Sequence, residues 1–383
     1  MTKRAGWIDR WERIAWQGPA GAGDRALAGF LRPLEFVYRR FACRPTSEAK
    51  RLPCPVISVG NLTCGGSGKT PFTVYLARRI RDRWKKKVAV VSRGYGKANR
   101  RAVTVVSDGR QILAGPEAGG DEACLVARAA RGTIVVTAIE RSEAARRAIE
   151  DYGAEVILLD DGFQHRRLER QLDLVLVDGE RGFGNGRCLP AGPLREPLSA
   201  MARADWVVVF RRPFAPARSL SDVLGPGVSA HKVLEIEASL GSIRRVASGL
   251  RSSEQLSLQT MDREQSKELS WTLASGIAYP ESFRRAAEGA GLSVAGEMVF
   301  QDHHRYTCAD WQSIVDQARR ERSGGILATE KDFWKLLETA GRSSIDDAGD
   351  LVLAYLELDL TLSAGEAEFD EQLARVVHSS YST

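Results

Sequence analysis

The stretch "PVISVGNLTCGGSGKTPFTVYLA", residues 55–77, limits what this chain can fold into more than any other. Its first residues are apolar and β-branched, its middle is glycine-rich, and Phe72, Tyr75, Leu76 and Ile80 then follow helical spacing. That order predicts a strand, a loop and a helix. In such a unit the backbone amides of Gly65, Gly66, Ser67, Gly68, Lys69 and Thr70 converge on a phosphate at the positive end of the helix dipole. Thr63 stands where the GxxxxGK[ST] pattern wants its first glycine, but Gly65, Gly66 and Gly68 still supply flexibility. A glycine turn before a chance Lys-Thr is the plainer alternative. The flanking strand and helix favour a nucleotide site.

From residue 55 onward β-rich runs alternate with helical patterns: "PVISVG", "KVAVVSRG", "TIVVTA", "EVILLDD", "LDLVLVDG" and, after the Gly/Pro-rich loop 181–199, "DWVVVFRR". This is the βαβ alternation of a parallel, helix-covered sheet. The expected fold is α/β: a P-loop NTPase-like parallel sheet core, a second, smaller α/β domain, and an N-terminal amphipathic helical segment. The expected limits are 1–50 for that segment, 51–180 for the core, 181–365 for the smaller domain and 366–383 for a C-terminal helix or tail that could return to the core. A chain of 383 residues is long enough for two domains.

Cys43, Cys54, Cys64, Cys124, Cys188 and Cys308 stand singly, with no CxxC pair and no secretory leader, which fits a reducing cytosol. No apolar run approaches the roughly 18 residues of a membrane span. The net charge of +6 is uneven, with an excess at the N-terminus. That points to an anionic surface or substrate rather than a nucleic-acid groove. There, Trp7, Trp11 and Ile14, then Leu27, Leu31, Leu34, Tyr38 and Phe41 around Pro33, keep an apolar helical rhythm. Lys3, Arg4, Arg10, Arg13, Arg32, Arg39, Arg40, Arg44, Lys50 and Arg51 flank it. Two readings stay open: a helix in a membrane interface, or a helix docked on its own domain.

Asp160 and Asp161 end the run "EVILLDD", at the carboxyl end of a buried strand, where open α/β sheets place their ligands. With Thr70 they offer oxygens for Mg2+; a turn or a helix cap is the bland reading. Asp121 and Glu122 in "GGDEACL" sit at a helix start, where N-capping is ordinary. "QDHHRY" gathers Asp302, His303 and His304. "ATEKDFWKL" suggests an N-cap at Thr329 and a nucleotide contact through Lys331, and "SRGYG", with Arg93 and Tyr95, reads as a substrate loop.

Together "GNLTCGGSGKTPF", "SRGYG", "GGDEACL", "DDGFQHRRL", "LPAGPLREPL", "FQDHHRYT" and "TEKDFWKL" resemble the ordered motif set of the tetraacyldisaccharide 4′-kinases, from the N-terminal helix to about residue 336. The resemblance accounts for Thr63, since variant P-loops with a GGxGKT core tolerate a non-glycine there. It implies transfer of the γ-phosphate of ATP, with Mg2+, to the 4′-hydroxyl of a tetraacylated glucosamine disaccharide 1-phosphate, yielding lipid IVA, at the cytosolic face of a Gram-negative inner membrane. The basic N-terminus would dock in the headgroup region. The resemblance further implies Lys69 and the loop amides on the phosphates, Thr70 and Asp160 on Mg2+ with Glu122 and Asp161 supporting, and Asp121 as general base with His303 as its hydrogen-bonded partner. His304 is the alternative partner. Asn61, Arg93, Tyr95, Gln164 and His165 fall toward the substrate. Ala123 departs from the family's common Gly-Asp-Glu-Pro and is expected to loosen the loop after Glu122. A hydrolytic P-loop switch and a non-catalytic scaffold are the other readings; Cys64 replaces the lysine such switches usually carry before the double glycine. Neither a nucleic acid nor an obligate protein partner is implied.

Overall fold

A computed structural model describes residues 6–42, 49–225, 232–246, 258–342 and 350–379. Lys3, Arg4, Cys43, Arg44 and the end of the tail, 380–383, lie outside the described residues. The strands are β1 Val56–Asn61, β2 Val88–Ser92, β3 Thr104–Asp108, β4 Ile134–Thr137, β5 Val156–Asp160, β6 Leu172–Asp178, β7 Trp206–Arg211, β8 Lys232–Val246, β9 Leu258–Met261, β10 Ser270–Ser275, β11 Ser293–Val299, β12 Gly325–Thr329 and β13 Val352–Ala364. The helices are α1 Gly6–Gln17, α2 Ala22–Ala42, α3 Lys69–Trp84, α4 Pro116–Gly119, α5 Asp121–Ala129, α6 Arg141–Tyr152, α7 Leu220–Leu224, α8 Arg263–Glu268, α9 Pro280–Gly289, α10 Cys308–Arg320, α11 Glu330–Arg342 and α12 Glu366–His378.

All strands join one 13-stranded sheet in the order β11-β10-β12-β13-β8-β7-β6-β1-β5-β2-β4-β3, with β9 on β8. Strands β1, β2, β5 and β6 are buried at every position, because helices cover both faces and no polar side is needed. Among the described residues the antiparallel strand pairs are β3 with β4, β13 with β8 and β9 with β8.

The sheet does not break at residue 180. β7 pairs with β6, and β8 begins by pairing with β7 before β13 takes over along its length. The long β8–β13 ribbon thus carries the sheet from a core lobe into a smaller lobe, with a register shift between Leu356 and Leu358 marking the passage. α12 lies with the core lobe: Phe369, Leu373 and Val377 join Phe72, Leu76, Ile80 and Trp206 in one apolar cluster. The smaller lobe has its own clusters around Trp311 and Phe333 and around Trp271 and Phe283.

At the N-terminus two helices meet near residues 18–21, and Pro33 lies inside α2 rather than ending it. α1 is docked: Ile14 and Ala15 are buried, and the Trp11 indole N–H donates to the Pro190 carbonyl at 2.6 Å. Arg10 and Arg13 both engage the buried Asp24. The apolar stripe expected on α2 divides between two faces. Leu27, Leu31 and Tyr38 are half-buried, and the Tyr38 hydroxyl donates to the Arg195 carbonyl at 3.0 Å. Buried Glu35 accepts the Cys188 amide at 2.9 Å. Leu34 and Phe41 instead face outward with Phe30, Phe36 and Val37, and Phe30 and Phe36 are each 73% exposed. Arg25, Arg32, Arg39 and Arg40 are exposed beside them.

Candidate active site

The loop between β1 and α3 turns on two glycines in the left-handed region, Gly65 at φ 98° and Gly68 at φ 83°. A Cβ on Gly68 would stand 2.5 Å from the Phe210 ring, so only glycine fits. Thr63 has no such demand. It is buried, its hydroxyl receives the Asn61 side-chain amide at 3.3 Å, and its backbone bridges Leu194. The first position of this loop is an anchored extended residue, which is why a threonine serves there. Asn61 also accepts Lys69 Nζ at 3.1 Å, and its carbonyl accepts the Gln164 side chain at 2.9 Å. Ser67 Oγ is buried with no hydrogen-bond partner among the described residues.

Two further cations and an aromatic, none of them evident from the loop's sequence, complete its surroundings. Arg212 donates to the Gly66 carbonyl at 2.6 Å and to Asp178 at 2.7 Å. Tyr279, from the smaller lobe, lies with its ring centroid 3.7 Å from the Arg181 guanidinium and 4.9 Å from that of Arg212. Its hydroxyl stands 2.9 Å from where a Gly65 Cβ would be.

Asp160 and Asp161 close β5 in opposite environments. Burial, then the charges of Glu122 and Asp161, push the Asp160 carboxyl up to about 7, and Thr73 Oγ1 donates to it at 3.2 Å. Burial would raise Asp161 as well, but Lys69 at 3.5 Å and Arg195 at 2.9 Å overcome it and hold that carboxyl at about 2. Adjacent carboxyls pushed in opposite directions are typical of sites where charges are arranged for chemistry. His165 is neutral: burial and then Arg141, Arg170, Arg167 and Arg93 take it down to about 4. Its Nε2 is buried without a hydrogen-bond partner among the described residues. Arg93 and Tyr95 are exposed on the loop after β2.

α5 starts at Asp121, and Ala123 is a buried residue of its first turn. The loosening expected after Glu122 is therefore absent, since alanine continues the helix as well as a first-turn proline would. Gly120, at φ 93°, lets the helix start press on the Arg93–Gly96 loop; a Cβ there would meet the Tyr95 carbonyl at 2.7 Å. Nor is Asp121 a cap, because the N-cap residue is Gly120. The Asp121 carboxylate pairs with Lys335 Nζ at 2.5 Å. His303 stands elsewhere than expected: its Nε2 is 3.9 Å from Glu122 and 3.9 Å from Asp302, and its ring is 5.0 Å from that of Tyr95. His304 is structural, stacked on Phe300 and bonded at 3.1 Å to Asp310, the capping-box residue of α10. Thr329 does cap α11, receiving the Asp332 amide at 3.2 Å. Lys331, expected on the nucleotide, is bonded at 2.9 Å to Asp302.

Lys69, Asp160, Asp161 and Glu122 of the core lobe are thus neighbours, and the smaller lobe adds His303 beside Glu122 and Lys335 on Asp121. The family described as tetraacyldisaccharide-1-P 4′-kinase, LpxK, matches residues 27–378. The chain belongs to this family. A tetraacyldisaccharide 4′-kinase of Syntrophus aciditrophicus is 39% identical over 340 residues, covering 85% of this chain and 88% of that protein. One of Anaeromyxobacter sp. is 35% identical over 372 residues, covering 94% and 95%. The crystal structure of LpxK from Aquifex aeolicus in complex with ATP superposes with a TM-score of 0.69 at 27% identity, covering 92% of this chain and all of that one. The family's activity is phosphorylation of the lipid A precursor in lipid A biosynthesis, so the switch and scaffold readings fall away.

Proposed function

We propose that the kinase takes the γ-phosphoryl group from ATP and that Asp121 deprotonates the 4′-hydroxyl of the disaccharide. The carrying observation is a run of neighbouring groups: Lys69 lies 3.5 Å from Asp161, the adjacent buried Asp160 is close enough to Glu122 for that charge to push its carboxyl up, and Asp121 directly precedes Glu122. Phosphoryl transfer asks chiefly for positioning and charge neutralisation. Lys69 and the amides of residues 65–70 supply the cation and donors, and Asn61 and Asp161 hold the Lys69 amine in place. His303, beside Glu122 and Tyr95, orders the acceptor side. The remaining residues toward the substrate are Arg93, Tyr95, Gln164 and His165. Purified protein given ATP and the lipid disaccharide should make phosphorylated lipid; ATP hydrolysis indifferent to the lipid would overturn this.

The residues present suit Mg2+. It takes hard oxygens from one or two side chains and completes its shell with phosphates and water. Among the described residues no group of three or more His, Cys, Asp or Glu forms a cage, which such a site does not need. Asp160 is a buried carboxylate touched by Thr73, and Thr70 lies three residues earlier on that face of α3. Thr70 and Asp160 would hold the ion, with Glu122 and Asp161 behind them; when bound it neutralises charge on the phosphates.

In metal-free protein the Asp160 carboxyl has a consequence for stability. A raised folded-state pKa means the folded protein holds a proton that the unfolded chain has released above about pH 4. The stability this brings is complete below that point and lost as pH rises through about 7. Asp160→Asn keeps an acceptor for Thr73 and never ionises. In EDTA it should therefore melt higher relative to wild type at pH 8 than at pH 5, while losing turnover. An equal difference at both pH values would contradict this reading.

No helix among the described residues is long and apolar enough to cross a membrane. We infer that α2 instead rests on the cytosolic face of the inner membrane, on an anionic surface, because its outward side combines Phe30, Phe36 and Val37 with exposed arginines. Burying a Phe side chain is worth about 1.5–3 kcal/mol. Phe30→Ser with Phe36→Ser should therefore weaken sedimentation with phosphatidylglycerol vesicles by at least about tenfold, and higher salt should weaken it further. Trp11, Arg10 and Arg13 are committed to docking α1 and are the wrong residues to change. Binding unaltered by the Phe substitutions and by salt would make α2 a structural helix only.

A further inference from the structure

Lys335 crosses from the smaller lobe to the one carboxylate on which the reaction is proposed to turn. Its side chain is 10% exposed and that of Asp121 18%, so this is not a solvated surface pair of negligible worth. Taking away one partner leaves the other's charge enclosed and uncompensated. The amine is itself fixed. It donates to the His304 carbonyl at 3.2 Å, and one turn earlier on α11 Lys331 binds Asp302, so the two lysines grip both ends of the 302–304 segment. Asp121 is the first residue of a helix whose cap is a glycine, and no side-chain bond of the capping kind constrains it. What constrains it is Lys335, through Oδ2.

We propose that Lys335 is a positioning residue for phosphoryl transfer: by holding Oδ2 of Asp121 it keeps Oδ1 directed at the acceptor hydroxyl, and it does so only while the two lobes are together. The inference rests on Asp121 being the base. Lys335 takes no proton and touches no phosphate in this role. Its effect is on orientation, so it should appear in kcat and leave the binding of ATP, which the core lobe carries, alone.

The test is steady-state kinetics of the full chain with ATP and the lipid disaccharide in mixed micelles. The variants are Lys335→Met, Lys335→Arg, Asp121→Asn and the Asp121→Asn/Lys335→Met pair. Lys335→Met should lower kcat on the order of 10- to 100-fold, the scale of a misplaced catalytic group, with the KM for ATP within about threefold. Lys335→Arg, which keeps the charge, should recover much of that loss. The double variant should be no slower than Asp121→Asn alone, because there is no base left to orient. If Lys335→Met stays within about threefold of wild type while Asp121→Asn loses more than about 100-fold, the inference is overturned and the base reading stands. Losses that multiply in the double variant, or an arginine no better than methionine, overturn it too. If Asp121→Asn is itself near wild type, the base reading has failed, and this one with it. Should Lys335→Met melt well below wild type, Lys335→Gln, which keeps a donor for the His304 carbonyl, is judged by the same criteria.

Discussion

Lys69→Ala should reduce phosphoryl transfer on the order of 10³-fold or more while the protein melts close to wild type. The magnitude follows from what the amine does when the phosphates are bound: a fixed cation against charge that grows in the transition state is worth several kcal/mol in a site that excludes water. The fold should bear the change because the buried cluster beneath α3 is built from Phe72, Leu76 and Ile80, which the substitution leaves in place. Its present partners also survive the loss. Asn61 keeps its bonds to Thr63, and Asp161 keeps the Arg195 fork at 2.9 and 3.0 Å. Lys69→Met, which preserves the stem, separates charge from packing and should be as inactive as alanine. Turnover within about tenfold of wild type in the methionine variant would remove Lys69 from the chemistry.

How much of this was legible beforehand divides along physical lines. Continuous apolar runs announced β1, β2, β5 and β6 because a strand covered on both faces has no polar side to obscure it. β3, at the sheet edge and half-exposed, gave no comparable signal. Nor could hydropathy locate the passage between lobes, since β8 and β13 each serve both. At the site, Lys69, Thr70 and the Asp160–Asp161 pair were visible because each is tied to a local motif at a strand end. The partnerships were not. Asp121 with Lys335 and Asp161 with Arg195 join residues far apart in sequence, and the adjacent His303 and His304 carry no pattern that says which stands beside Glu122. One signal was available: Lys335 follows Lys331 by four residues, so a helix places both on one face. α2 misled for a related reason. Its inner side is held by Asp24, Glu35 and Tyr38, while most of its aromatic residues point to solvent, the reverse of the usual amphipathic rule.

Asp121→Asn should separate structure from chemistry more sharply than any other change. If Asp121 mattered only for the fold, its worth would be its charge at the start of α5, about 0.3–1 kcal/mol, and its ion pair with Lys335. Asparagine fills the same space and still accepts a hydrogen bond from the Lys335 amine, but it leaves that enclosed ammonium without a counter-charge, so melting should fall by several degrees while the protein stays folded. Removing a general base costs on the order of 10²- to 10⁴-fold in rate, and an amide cannot take the hydroxyl proton. The expected result is therefore a folded protein with near-normal ATP affinity, melting somewhat lower, and kcat reduced by at least about 100-fold. His303 calls for a different substitution, because its backbone lies at φ 62°, where alanine would add strain. His303→Asn tolerates that conformation and removes the ring from Glu122 and Tyr95. Its loss of turnover should be smaller than that of Asp121→Asn, since no contact joins His303 to the base in the structure's described residues. Measured with saturating ATP and lipid, an Asp121→Asn kinase within a few-fold of wild type would return Asp121 to the role of a charged residue at a helix start; a His303→Asn loss equal to that of Asp121→Asn would instead make the histidine an equal participant, brought onto Asp121 by a movement of the lobes when substrates bind.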